Sequence, residues 1–249
     1  MSDEKIAILA PRSAIAGAVI AQLHARGAKV VGIGRDLDAW EGPNLAWRAD
    51  CELTDFDAVA DALAEAKKQL GGLSGIVNCS GSILLKPAHL TSRADFEATM
   101  AANLVTAFAA VRSAKAVFGR EGGSVVLLSS AAASFGMGNH EAIAAAKGAI
   151  EGLVRSAAAT YAPSGIRFNA VAPGLVETPM SASITAAPSA RKLSESLHPL
   201  GRLGQPEDIA SAIAWFLDPA QRWVTGQVLG VDGGLSRVQP RPRVSPTGA

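Results

Sequence analysis

Ser124-Val-Val-Leu-Leu-Ser129 and Arg167-Phe-Asn-Ala-Val-Ala172 are two short apolar runs joined by an Ala-rich pattern of helical period over 142–162. Neither run alternates polar with apolar residues, which marks a strand covered on both faces. Strand, helix, strand in that order forms a parallel pair through a right-handed crossover. The same rhythm extends in both directions. Upstream lie Ile6-Ala-Ile-Leu-Ala10, Lys29-Val-Val-Gly-Ile-Gly34 and Gly75-Ile-Val-Asn-Cys79, and downstream lies Gln227-Val-Leu-Gly-Val-Asp232. Amphipathic helices are predicted near 15–26, 56–70, 92–118, 142–162 and 206–217.

This alternation predicts a single-domain α/β architecture, a Rossmann-type doubly wound parallel sheet with helices on both faces. The predicted domain spans 1–235. Two stretches break the rhythm. Residues 180–203, after Pro173-Gly174, are rich in Ser, Ala and Pro and read as a mobile flap over a site. Residues 236–249 form a Pro- and Arg-rich tail, expected to be poorly ordered.

Lysine and arginine number 23 against 22 acids, a net charge of +1. No field of one sign gathers nucleic acid or an acidic membrane. Two cysteines, Cys51 and Cys79, are too few for a disulfide framework and have no metal-ligand spacing, so reduced thiols in a cytoplasmic protein are expected. No apolar run reaches the roughly 18 residues of a membrane span, and the polar start fits no leader peptide.

Ligands of a doubly wound sheet sit beyond the carboxyl ends of its strands. The loops there, with Asn169-Ala-Val-Ala-Pro-Gly-Leu-Val-Glu-Thr178, His198-Pro-Leu-Gly-Arg-Leu-Gly-Gln-Pro-Glu-Asp208 and Thr225-Gly-Gln-Val-Leu-Gly-Val-Asp-Gly-Gly234, resemble the short-chain dehydrogenase/reductase family over residues 5–235. The resemblance implies a nicotinamide cofactor, a small-molecule substrate, and a homodimer or homotetramer built on the helices near 92–118 and 142–162.

At the cofactor end the chain departs from the family. Where the family has Thr-Gly-x-x-x-Gly-Ile-Gly, this sequence has Leu9-Ala-Pro-Arg-Ser-Ala-Ile-Ala16, with Ala10, Ala14 and Ala16 in the glycine positions. Those glycines permit a tight turn and close approach of a pyrophosphate to a helix N-terminus. By alignment, Arg12, Ser13 and Ile15 stand in this loop and Arg35 follows the second strand. Asp50 and Cys51 stand beside the adenine, with Asn78, Ser80 and Gly81 after the fourth strand. Pro173, Gly174, Val176 and Thr178 flank the nicotinamide. Gly34 replaces the acid that holds a ribose diol in NAD-preferring members. With Arg12 and Arg35 nearby, NADP(H) is expected over NAD(H), because guanidinium pairs with a 2′-phosphate.

At the catalytic end three of the family's four residues are matched by Asn103, Ser130 and Lys147. The fourth, a tyrosine one helical turn before the lysine, is Ile143. Isoleucine has no proton to exchange with a substrate oxygen. Three substitutes are open: His140, a water held by Ser130, Lys147 and Asn103, or a substrate such as an imine or conjugated double bond that needs no proton on oxygen. Tyr161 stands about 27 Å along the same helix from position 143 and cannot serve. Arg191, Lys192 and Arg202 leave an acidic or acyl-carrier substrate open. The leading expectation is an atypical oxidoreductase, with a non-catalytic or cofactor-sensing paralogue and a cofactor-independent lyase or hydrolase as alternatives.

Overall fold

The computed structural model describes residues 4–239. Seven parallel strands form one sheet: β1 (Lys5–Leu9), β2 (Lys29–Gly34), β3 (Trp47–Asp50), β4 (Gly75–Asn78), β5 (Gly123–Leu128), β6 (Ile166–Pro173) and β7 (Val228–Val231), in the order β3-β2-β1-β4-β5-β6-β7. The order reverses beside β1, so a crevice opens between the loops after β1 and β4. The helices are α1 (Ala14–Ala25), α2 (Phe56–Leu70), α3 (Arg93–Met100), α4 (Thr106–Phe118), α5 (Glu141–Tyr161), α6 (Ala182–Thr185), α7 (Pro188–Leu197) and α8 (Pro206–Leu217).

Two apolar cores flank the sheet, and strand alternation divides the side chains between them. On β1, Ala7 and Leu9 join the core beneath α2, α4 and α5, while Ile6 and Ile8 join the one beneath α1 and α8. Local chemistry fixes the helix ends. Asp55 caps α2, accepting from the Asp57 and Ala58 N–H groups, and Gly71 ends it at φ 65°. Ser92 and Asp95 form a capping box on α3.

The helix expected over 92–118 is instead two α-helices, α3 and α4, joined by a π-helical turn, Ala101–Val105. Periodicity alone does not register one extra residue in a turn; such bulges occur where a side chain must be re-aimed. Asn103 lies in this turn and is fully buried. The stretch 180–203 forms α6 and α7, neither with a buried residue, so it lies over the domain as short helices rather than within its core. The ordered chain continues past the expected domain end: Ser236 bonds to Asp232, and Val238 N–H donates to the Gly234 carbonyl. The expected disorder of the tail from residue 240 onward lies outside the described residues. Among the described residues, no helix is long and apolar enough to cross a membrane, and no group of three potential ligands could hold a metal ion.

Candidate active site

The turn after β1 is built with alanine, Ala10, where the pattern it resembles has glycine. Ala10 sits at φ 58°, in the left-handed region, with its N–H on the Ile33 carbonyl at 2.9 Å. The left-handed turn therefore survives without its glycine, at a cost of about 1 kcal/mol. Ser13 then caps α1, its hydroxyl accepting the Ala16 N–H at 3.1 Å. Ala16 itself is buried against the core, and the first-turn N–H groups of Ala14 and Ile15 have no acceptor within the helix.

Those N–H groups open on a cavity of about 350 Å³ that runs over the ends of β1, β4, β5 and β6. Arg12, Ser13, Ala14 and Ile15 line one end, and Ser80, Gly81 and Asn103 the floor. Ser130, Ile143 and Lys147 form the far wall, and Pro173, Gly174, Val176 and Thr178 the strap on the other side. Gly174 is bare for a reason: a Cβ there would lie 2.7 Å from His198 Nε2.

Lys147 is buried on α5, and its Nζ donates to the Leu128 carbonyl at 2.9 Å. Burial pulls its pKa down to about 8. The Asn103 amide donates to the Thr99 carbonyl at 2.9 Å and to Ser82 Oγ at 3.1 Å, and its oxygen accepts the Ser82 N–H at 3.3 Å. It therefore joins the π turn to the loop after β4. Ser130 follows β5, and its hydroxyl accepts the Ala132 N–H at 3.2 Å while facing the cavity. Cys79 also lines the wall, but burial pushes its thiol up to about 12, which makes it an inert side chain.

Five expected site residues lie elsewhere. Asn78 is buried, its amide on Thr106 Oγ1 at 3.2 Å and its oxygen accepting the Ser80 N–H; it props the loop from below instead of facing the cavity. Asp50 Oδ1 accepts the Leu37 N–H at 2.8 Å, and Cys51 is buried, its thiol pushed up to about 11 by burial. Arg35 is exposed beyond β2. His140, half-buried at the start of α5, lines a second cavity of about 240 Å³ that shares Ser130, Ile143 and Gly174 with the first. Its Nδ1 is 2.7 Å from the Gly138 carbonyl, which makes Nδ1 the protonated nitrogen and leaves Nε2 without a partner among the described residues.

The sequence reading missed His198. It is buried between α7 and the strap, its Nδ1 2.7 Å from the Ser194 carbonyl and its Nε2 accepting the Leu175 N–H at 3.2 Å. One neutral tautomer satisfies both bonds. It fastens the helical cover to the end of β6, and it lines the second cavity. Its place at the end of a helix, directly before Pro199, is a signal the sequence carried.

Residues 9–236 match the family model described as enoyl-(acyl carrier protein) reductase. The chain belongs to the short-chain dehydrogenase/reductase family. It is 34% identical to cis-4-hydroxycyclohexanecarboxylate dehydrogenase of Sinomonas cyclohexanicum, over 94% of this chain and 98% of that one. It is 37% identical to a protein of Xanthobacter autotrophicus named inactive 2-(S)-hydroxypropyl-CoM dehydrogenase 2, over 85% and 96% respectively. Among solved structures, a short-chain type dehydrogenase/reductase from Mycobacterium ulcerans superposes with a TM-score of 0.88 at 29% identity, covering 96% of this chain and 92% of that one. The short-chain dehydrogenase/reductase frame implies a nicotinamide cofactor, NAD(P)(H), and an oxidoreductase type of chemistry.

Proposed function

We propose that this short-chain dehydrogenase/reductase is an NADP(H)-preferring enzyme that moves hydride to or from a small carbonyl, imine or conjugated substrate. One observation carries the reading: a single cavity joins the α1 N-terminus, Asn103, Ser130 and Lys147 to the Pro173–Thr178 strap. When bound there, the nicotinamide supplies or accepts the hydride. The Ala14 and Ile15 N–H groups suit a pyrophosphate, since Ala10 keeps the turn left-handed and Ala16 turns its methyl group into the core.

The preference for a 2′-phosphate rests on Arg12 and Arg35. Arg12 reaches across from the first loop to the Asp36 carbonyl at 2.7 Å, which brings its guanidinium to the corner after β2 where Arg35 stands exposed. Pro11 covers Gly34 there, and a Cβ at position 34 would lie 3.3 Å from Pro11 Cδ. That is a tight contact, and glycine leaves no acid here, where the usual ribose-diol partner would stand.

Proton handling falls to this chain's remaining groups. Ile143 supplies none, and the Lys147 ammonium is engaged with Leu128. The Ser130 hydroxyl lies where the two cavities meet and holds the substrate oxygen. His140, with Nδ1 tied to Gly138, carries the exchanged proton at Nε2. Two buried cysteines without a disulfide fit a cytoplasmic protein, and assembly as a dimer or tetramer follows the family pattern.

Titration with NADPH and, separately, NADH, followed by nicotinamide fluorescence and calorimetry, tests the reading. NADPH binding at least tenfold tighter than NADH supports it, and binding of neither nucleotide to folded protein sinks it. Ile143 favours one other reading, a member that binds nucleotide without turnover; NADPH binding with no activity on ketones, imines or enones would establish that instead.

A further inference from the structure

We propose that the substrate side of this site is built for an uncharged, largely apolar molecule carrying one carbonyl or hydroxyl group, and that it rejects carboxylates and phosphates. The assignment of that molecule as a reactant rests on the oxidoreductase reading; the binding preference does not.

The second cavity supplies the ground. Its walls are dominated by Leu85, Met137, Ile143, Ile184, Leu197 and Leu235, with no Lys, Arg, Asp or Glu among the lining residues. Its volume of about 240 Å³ extends the cofactor-side cavity of about 350 Å³ through shared walls at Ile143 and Ser130, so a ligand there presents one end to the catalytic groups. The isoleucine at position 143 adds to this character. Ile143, which is 4% exposed, turns a hydrocarbon surface into both cavities where a phenol would place a hydroxyl.

The rim repeats the pattern. Ile83 and Leu85, after β4, are 41% and 42% exposed, and Leu197 on α7 is 46% exposed. Large apolar side chains left open around one cavity mouth favour an apolar ligand that covers them.

None of the neighbouring cations that could recognise an anion lines this cavity, and three of them are already engaged. Arg191 pairs with Glu177 at 2.5 Å and Glu195 at 2.9 Å, and Arg202 forms a two-bond pair with Asp208 at 2.6 and 2.9 Å. Lys86 pairs with Asp95 at 2.7 Å. Lys192 is exposed on α7, outside the cavity. On this proposal the flap cations do not serve an acidic or acyl-carrier substrate. The polar groups facing the cavity number few: the Ser130 hydroxyl, Ser194, and His140 Nε2, since both nitrogens of His198 are taken. They can recognise one substrate oxygen. A carboxylate would be stripped of water here with no counter-charge, which strongly disfavours binding.

The test uses a matched pair, 4-phenylcyclohexanone and 4-(4-oxocyclohexyl)benzoate, on the full chain. Binding is measured by calorimetry with and without saturating NADP⁺, and turnover with NADPH. The neutral ketone is expected to bind at least 100-fold more tightly than the benzoate. Leu197→Arg, a change at an exposed rim position, is expected to narrow that ratio at least tenfold by improving benzoate binding. Equal or tighter binding of the benzoate by the unaltered protein overturns the proposal, and so does failure of the neutral ketone to bind. Ketone binding without any nucleotide binding would sink the oxidoreductase reading alone and leave this preference standing.

Discussion

Lys147 Nζ donates to the Leu128 carbonyl at 2.9 Å, so the ammonium on α5 is held by the end of β5. One helical turn earlier on the same face stands Ile143, and no hydroxyl lies there for the lysine to polarise. The charge is therefore spent on a main-chain carbonyl inside the protein, and burial lowers its pKa to about 8.

That lowered value has a consequence for stability. Between about pH 8 and the ordinary lysine value of 10.5, the unfolded chain binds one more proton than the folded one, so stability rises with pH. The thiols oppose this above about pH 9, where unfolded Cys51 and Cys79 ionise while the folded ones, near 11 and 12, do not. Replacing the lysine, as Lys147→Met, removes its part alone. Urea denaturation at pH 7.5 and 9 should show the wild type gaining roughly 1 kcal/mol relative to the variant over that interval. A pH-independent difference would mean that the ammonium is not desolvated.

Ile143→Tyr places a phenol at the wall shared by both cavities. If the rest of the constellation is competent, kcat/KM for carbonyl reduction with NADPH should rise by about 10²-fold or more, the usual worth of a positioned acid. No gain from a variant that folds and binds nucleotide would show that Ser130 and Asn103 are not aligned for hydride transfer.

Ala10 holds φ 58° with a Cβ in place. Ala10→Gly relieves that strain, so thermal or urea denaturation should show a stabilisation of up to about 0.5 kcal/mol, the left-handed cost less the added flexibility of the unfolded chain. Destabilisation would indicate that the methyl group packs more usefully than the backbone geometry suggests.

The two arginines at the corner after β2 give a selective outcome. Arg35→Ala should weaken NADPH binding by about 10-fold or more, the scale of one charge-assisted hydrogen bond, while leaving NADH affinity within about twofold. Equal losses for both nucleotides would assign Arg35 to a part of the cofactor that both share.

His140→Gln keeps a polar side chain at the head of α5 but removes the imidazole that lines the second cavity. kcat should fall by about 10²-fold, with nucleotide binding unchanged. An unaltered kcat would pass the proton step to water held by Ser130.

Much of this was legible in the chain itself. The apolar runs of β1, β2 and β4–β6 were readable because strands covered on both faces carry no polar alternation, while β7 kept its apolar run although it is a half-exposed edge strand, and α8 ended where its pattern ended. Ser130, Asn103 and Lys147 were found by spacing, and the fold does bring them to one cavity. β3 was harder to see: Trp47-Arg-Ala-Asp50 is an edge strand with alternating exposure and no apolar run. The break in the 92–118 helix was hidden because a π turn changes register by one residue without changing composition.

By itself the sequence determined the sheet and the helices on both its faces, since these depend on residue type at a fixed spacing, and its resemblance to the family exposed the tyrosine and glycines that the chain lacks at 143, 10, 14 and 16. Tertiary structure decided what those absences mean. Only folding sets Ala10 in the left-handed turn, turns Ala16 into the core and ties Lys147 to Leu128. Only folding brings Arg191 onto Glu177 and Arg202 onto Asp208 and lines the second cavity largely with hydrocarbon. The physical reason is that burial and pairing are properties of a residue's neighbours in space, and most of those neighbours lie far away along the chain.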